Sequence, residues 1–248
     1  MKILFVNTFY APLEVGGAEK SVRFLAETMA SMGHEATVVT LGREREHSIV
    51  GGVRVERLKV KNLYFPADAA KQSSLKKLIW HTLDSFNPLS PNELSEILDD
   101  IQPDVVHTNN LSGFSVSIWE AIKKRNIPIV HTLRDYYLLC PNTAMFKDGR
   151  QCIQRCTQCS ILSTPREHQT QHVDVVVGNS HFILNKHIEH QLFDKSKKCV
   201  IYNAYSPKHN KRETNPEAIT FGFIGRLSPT KGVEILLEAA KMVAAECT

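Results

Sequence analysis

The chain has 248 residues, of which 42% are hydrophobic and 23% charged, with a formal net charge of +4. That composition belongs to a globular protein with a buried core, long enough for one large domain or one domain and part of another. Lys and Arg are scattered among Asp and Glu, which argues against a nucleic-acid groove, while a basic patch facing acidic substrates or lipid head groups stays compatible with the charge.

Chain order begins with "KILFV" (2–6), which predicts a buried strand, and "ATVVTL" (36–41) predicts the next. Between them Ala18, Val22, Leu25, Ala26 and Met29 recur at helical spacing, with Glu19, Arg23 and Glu27 on other faces and Gly33 as the stop. This is a βαβ unit with parallel strands. "VRVERLKV" (53–60) alternates apolar and charged residues as an edge strand does. Residues 61–92 read as a loop with a helix near "SLKKLIWHTLDSF", and "PNELSEILDDI" (91–101) as a helix opened by proline. "DVVHTN" (104–109) predicts a strand, "SVSIWEAIKKR" (115–125) a helix and "IPIVHTL" (127–133) a strand. "DVVVGNS" (174–180), a helix over 180–190 and "CVIYN" (199–203) follow.

Residues 204–217 are polar and proline-bearing and read as a linker. "ITFGFIG" (219–225) and a helix carrying Val233, Leu236, Leu237 and Ala240 open a second domain at 218–248. A lone βα unit cannot cover its own sheet edge, so the remainder of that domain is expected to be missing. The expected fold class is therefore α/β, a doubly wound parallel sheet over 1–203 with the first βα unit of a second domain. "MKILFVNTFYAPLEVGG" lacks the form of a signal peptide, and no apolar stretch reaches the length of a membrane span. A cytoplasmic location is expected, with the inner face of a membrane as the other setting, and reduced thiols with it.

Three segments carry candidate chemistry. In "PLEVGGAEKS" (12–21), Gly16 and Gly17 precede a helix start, where free N–H groups and the helix dipole suit a phosphate. The same glycines also suit a tight turn and nothing more. The spacing is not the G-x-G-x-x-G of a dinucleotide site, and strand two ends without an acidic residue for a ribose, which disfavours NAD. In "FGFIGRLSPTKGVEIL" (221–236), Arg226 and Lys231 flank a second helix start, where they could converge on a diphosphate or stand as solvated cations. In "DVVHTNN" and "IVHTLRDYY", His107 and His131 are expected at the carboxyl ends of parallel strands, where ligand crevices form, with Arg134 and Asp135 following.

Taken together, P-x-x-x-G-G-A-E after strand one, "IVHTLRDYYLLCP", "VVGNSHF", "VIYNAYS" and "FIGRLSPTKG" resemble the GT-B glycosyltransferases of family GT4 over essentially the whole chain. The resemblance implies two Rossmann-like domains, with the acceptor held mainly by the N-terminal one and a nucleotide-sugar donor by the other. Under it, Gly16 and Gly17 lie near the donor diphosphate, His131 stands beside the transferred sugar as the catalytic residue, and Arg226 and Lys231 clamp the diphosphate. Glu19, His107, Arg134 and Asp135 line the acceptor side. The donor is expected to be a UDP- or GDP-sugar and the acceptor a glycan or lipid-linked molecule, with anomeric configuration retained, no metal needed for transfer, and peripheral membrane association as a further expectation. The family's Glu-x7-Glu element would fall beyond residue 248, so this chain by itself is expected to be inactive. A non-catalytic carbohydrate- or nucleotide-binding module is the rival reading, and an oxidoreductase or epimerase on a related fold the next.

The stretch "CPNTAMFKDGRQCIQRCTQC" (140–159) holds Cys140, Cys152, Cys156 and Cys159 at C-x11-C-x3-C-x2-C spacing, in what reads as a long loop from 136 to 164. Four thiolates suit one closed tetrahedral zinc, which is the expectation here. An iron–sulfur cluster on the four thiols, a C-x3-C-x2-C radical-enzyme motif, and four free cysteines are the alternatives.

Overall fold

The computed structural model describes residues 1–204, 221–225 and 227–246. These divide into two units: Met1–Met145 with Arg155–Ala204, and Phe146–Gln154 with the described residues of 221–246.

The first unit is built on an eight-stranded sheet, ordered β10-β9-β6-β5-β1-β2-β4-β3. The strands are β1 (Lys2–Val6), β2 (Glu35–Gly42), β3 (Glu46–Val50), β4 (Val53–Lys59), β5 (Val105–Thr108), β6 (Ile129–Leu133), β9 (Val175–Gly178) and β10 (Lys197–Val200). All neighbours pair in parallel except β3 with β4. The expected doubly wound α/β fold is present. Helix α1 (Gly17–Ser31) packs Val22 and Ala26 against Phe5 and Val38 of the central strands, as its spacing predicts. Helices α2 (Ser74–Ser85), α3 (Pro91–Ile101), α4 (Ser117–Lys123) and α6 (His181–Ile188) fall where the sequence places them.

The chain starts mid-sheet at β1, winds out to β2 and β4, then returns past β1 to β5, β6, β9 and β10. The direction of winding reverses between β1 and β5. In open α/β sheets the crevice outside the carboxyl ends at such a reversal binds ligands.

Several expectations are corrected. β4 is not the edge strand: β3, "EHSIV", pairs antiparallel outside it through the two-residue turn Gly51-Gly52. Both turn glycines have positive φ, 58° and 79°, which the right-handed twist of a tight hairpin requires. The stretch 136–164 is not one long loop. In the second unit it forms a short hairpin, β7 (Phe146–Lys147) with β8 (Arg150–Gln151). In the first it forms helix α5 (Thr157–Gln169), with Cys156 at its N-cap. The linker expected at 204–217 lies outside the described residues except for Ala204. Of the strand expected at 219–225, the described residues 221–225 form no strand; a strand needs a ladder partner to hold its backbone groups. The following helix is present as α7 (Val233–Glu246).

Candidate active site

The carboxyl ends of β1 and β5 are stitched together by polar groups. Asn109 N–H donates to Val6 O (2.9 Å), Thr8 N–H to Asn110 O (2.9 Å), and Asn110 N–H to the Asn7 side-chain oxygen (3.0 Å). Asn7, Thr8 and Asn109 are all buried. These bonds use up the backbone groups that the reversal would otherwise leave without partners.

Arg134 leaves the end of β6 directly beside this edge and is half-buried. Its Nε donates to Asn109 Oδ1 at 3.1 Å and its Nη1 to Asn203 Oδ1. Both partners are neutral amides. Burial pulls the guanidinium down to about 10, against the upward pull of the Glu19 carboxylate. The adjoining Asp135 accepts from Tyr137 N–H at 2.8 Å, and burial pushes its carboxyl up to about 6, with Glu19 raising it further. Glu19 thus acts electrostatically on both Arg134 and Asp135.

Glu19, expected on the acceptor side, is turned to its own helix start. It is buried, and its Oε2 accepts from Gly16 N–H at 2.8 Å. The carboxylate therefore caps the first turn of α1 and takes one of the N–H groups expected to be free for a phosphate. A Cβ at Gly17 would meet nothing within 4 Å, so the helix start opens on space.

The two histidines do not converge. In the parallel register Thr108 lies opposite His131, so His107 and His131 point to opposite faces of the sheet. His107 Nε2 lies 2.7 Å from Thr132 Oγ1, with its ring 5.5 Å from Phe5. His131 is the third of five residues in β6, not its carboxyl end, and is only 4% exposed. Its Nδ1 lies 2.9 Å from Thr108 Oγ1, which also accepts from Trp119 Nε1 at 3.1 Å. The rings of Trp119 (5.0 Å) and Phe193 (6.0 Å) enclose it. Burial lowers His107 to about 4 and His131 to about 3, so both are neutral in the folded protein near pH 7.

Lys231 ends a single 3-10 turn, Pro229–Lys231, ahead of α7 and is exposed; Arg226 lies outside the described residues. Of the cysteines, Cys140, Cys156 and Cys159 belong to the first unit and Cys152 to the second. Cys159 is hydrogen-bonded to Cys156 and Cys140, and burial first, then those bonds, push its thiol up to about 12. Among the described residues no group of three or more His, Cys, Asp or Glu is placed to hold a metal ion, so the zinc expectation gains no support from the geometry. A surface pocket of about 460 Å³ lined by Asp99, Arg125 and Pro128 opens at the amino ends of β5 and β6, away from the ligand-binding edge.

The model of Glycosyltransferase Family 4 matches residues 15–209. A curated Klebsiella pneumoniae protein, described as an uncharacterized 42.6 kDa protein in the cps region, is 37% identical over 244 residues. The match covers 98% of this chain and 65% of that protein, so the chain spans less than two thirds of its relative. Among solved structures, Phytolacca americana UGT2 complexed with UDP-2-fluoro-glucose and pterostilbene aligns with TM-score 0.48 and 11% identity, over 81% of this chain and 53% of that one. The UDP-forming α,α-trehalose-phosphate synthase of Burkholderia vietnamiensis gives 0.47 and 11%, over 81% and 48%. At that distance neither likeness bears on function. The match over 15–209 does bear on kinship: the chain belongs to Glycosyltransferase Family 4.

Proposed function

We propose that the full-length protein transfers a sugar from a UDP- or GDP-sugar to a hydroxyl of a glycan or lipid-linked acceptor, with retention of anomeric configuration and without a metal in the transfer step. The observation that carries this reading is the family match across the segment whose sheet holds Arg134, just past the end of β6, between two neutral amides. In the reaction the acceptor oxygen bonds to the anomeric carbon as the bond from that carbon to phosphate oxygen breaks. The nucleoside diphosphate leaves with the electron pair, and the acceptor proton passes to a phosphate oxygen.

The negative charge that develops on the leaving group needs fixed positive charge and N–H donors. Arg134 suits that task because, among the described residues, no carboxylate is bonded to it, which leaves its charge for a ligand. Arg226 and Lys231 are the proposed diphosphate clamp from the other part of the chain, and Gly16 and Gly17 let the donor approach the backbone. Glu19 and Asp135 orient the acceptor hydroxyl. His131 is given a supporting role, tying β6 to β5 through Thr108. A panel of nucleotide sugars incubated with the full-length protein and glycan or lipid-linked acceptors tests the reading. Acceptor-dependent release of nucleoside diphosphate is expected; release with no donor of the panel would remove it.

A further inference from the structure

Three cysteines meet in the first unit. Cys140 ends the turn after β6, where its N–H donates to Tyr136 O at 2.8 Å, and it is buried. Cys156 is the N-cap of α5 and is exposed. Cys159 follows at the third helical position and is half-buried. Its thiol is hydrogen-bonded to both of the others. Ser160 N–H donates to Cys156 O at 2.9 Å, so the first turn of α5 is closed over the stretch that carries Cys156 and Cys159. Cys199 differs: its sulfur lies 3.8 Å from the carbonyl of Val176.

Residues three apart on a helix lie roughly 5–6 Å from one another. A disulfide spans Cα atoms about 4.4–6.8 Å apart. Cys156 and Cys159 are therefore within bridging reach across one turn, and their thiols already touch. Thiol–disulfide exchange needs an accessible sulfur to meet the incoming disulfide and a second sulfur beside it to displace the first adduct. The exposed Cys156 and the half-buried Cys159 meet those two requirements in that order.

We propose that Cys156 and Cys159 are a reversible dithiol–disulfide pair, oxidised by exchange with a small-molecule disulfide such as glutathione disulfide. The Cys156 sulfur gives up its proton and attacks one sulfur of the glutathione disulfide. That S–S bond breaks, and one glutathione leaves with the electron pair and is protonated. The Cys159 sulfur then loses its proton and attacks the Cys156 sulfur, forming the Cys156–Cys159 bond and expelling the second glutathione. Two protein thiols are oxidised by two electrons, and one glutathione disulfide is reduced to two thiols. The inference goes beyond the proposed transfer reaction and does not depend on it.

The test equilibrates the full-length protein in oxidised and in reduced glutathione buffers, then uses acid quenching, iodoacetamide and trypsin. Cleavage after Arg155 and Arg166 releases residues 156–166 with both cysteines in one peptide. In the oxidised buffer that peptide should carry no alkyl group and weigh about 2 Da less than its dithiol form. The reduced buffer should restore the dithiol. Cys159→Ser should stop the exchange at glutathione bound to Cys156. Cys156→Ser, which keeps a good N-cap, should leave Cys159 a free thiol. A peptide that stays fully alkylated in the oxidised buffer overturns the proposal. So does a link from Cys159 to Cys140, glutathione that persists on Cys156 of the unaltered protein, or one bound zinc per chain that keeps both thiols reduced.

Discussion

Asp84 of α2 and Arg166 of α5 form an ion pair at 3.4 Å with side chains 1% and 0% exposed. Arg166 also donates to Tyr137 O at 2.6 Å and lies 4.0 Å over the Tyr137 ring, while Asp84 accepts from Gly113 N–H. Four segments therefore meet on one buried pair: α2, α5, the turn after β5 and the loop after β6. The last begins at Arg134, so the pair also anchors the far side of the candidate site.

Removing one partner of a buried pair leaves an uncompensated charge. Asp84→Ala is expected to cost about 3–5 kcal/mol, read as a lower urea midpoint with an unchanged slope. Replacing both partners by apolar residues should recover most of that loss. A midpoint unchanged in the single variant would mean that the pair contributes no stability.

His131→Ala should act on the fold. The side chain is packed between Trp119 and Phe193, and its loss leaves a cavity costing about 2–4 kcal/mol. Thermal denaturation checks this: a clear fall in Tm is expected. An unchanged Tm with a collapse of turnover would instead make His131 a substrate-facing residue.

The sequence made the strands of the first unit legible wherever continuous β-branched runs mark burial on both faces, as in "KILFV" and "DVVVG". β3 escaped because "EHSIV" has little apolar content, and the strand exists by pairing with β4 across Gly51-Gly52. The position of His131 was misjudged because "IPIVHTL" carries no sign of where pairing ends; the carboxyl end falls at Leu133, which leaves Arg134 at the mouth. Asn109 and Asn203 were missed, since an asparagine that bonds a guanidinium has no periodicity to betray it. The capping role of Glu19 was not read from the sequence, because it depends on the turn of the chain at Gly16 and not on spacing alone.

Acidification should destabilise the protein. Burial lowers His81, His107 and His187 to about 4 and His131 to about 3, below their ordinary 6.5. Between these values and 6.5 the unfolded chain binds more protons at these sites, so stability falls as pH falls through that window. Asp84 and Asp135, raised from 3.8 to about 6, work the other way: the folded state binds their protons first, and their contribution is lost as pH rises through 6. Four histidines outweigh two carboxyls, so the urea midpoint should be lower at pH 4.5 than at pH 7. Equal midpoints would contradict the burial of these imidazoles.

Cys159 should resist alkylation. Burial and the neighbouring Cys156 and Cys140 thiols push its thiol up, so its reactive thiolate is scarce at pH 8. Timed iodoacetamide labelling followed by peptide mass spectrometry should find it slower than the exposed Cys156. Fast labelling of Cys159 would show that the thiol contacts with Cys140 and Cys156 do not persist in solution.

The most direct test of the proposed transfer site is the steady-state kinetics of Arg134→Ala in the full-length protein, measured with its Tm. Among the described residues Arg134 bonds two neutral amides and no carboxylate, so its loss strands no buried countercharge while removing positive charge from beside the leaving group. The account predicts a fall in kcat/KM of about 100-fold or more with only a modest fall in Tm, from the Asn109 oxygen left without its donor. A variant that turns over donor at the wild-type rate would contradict it.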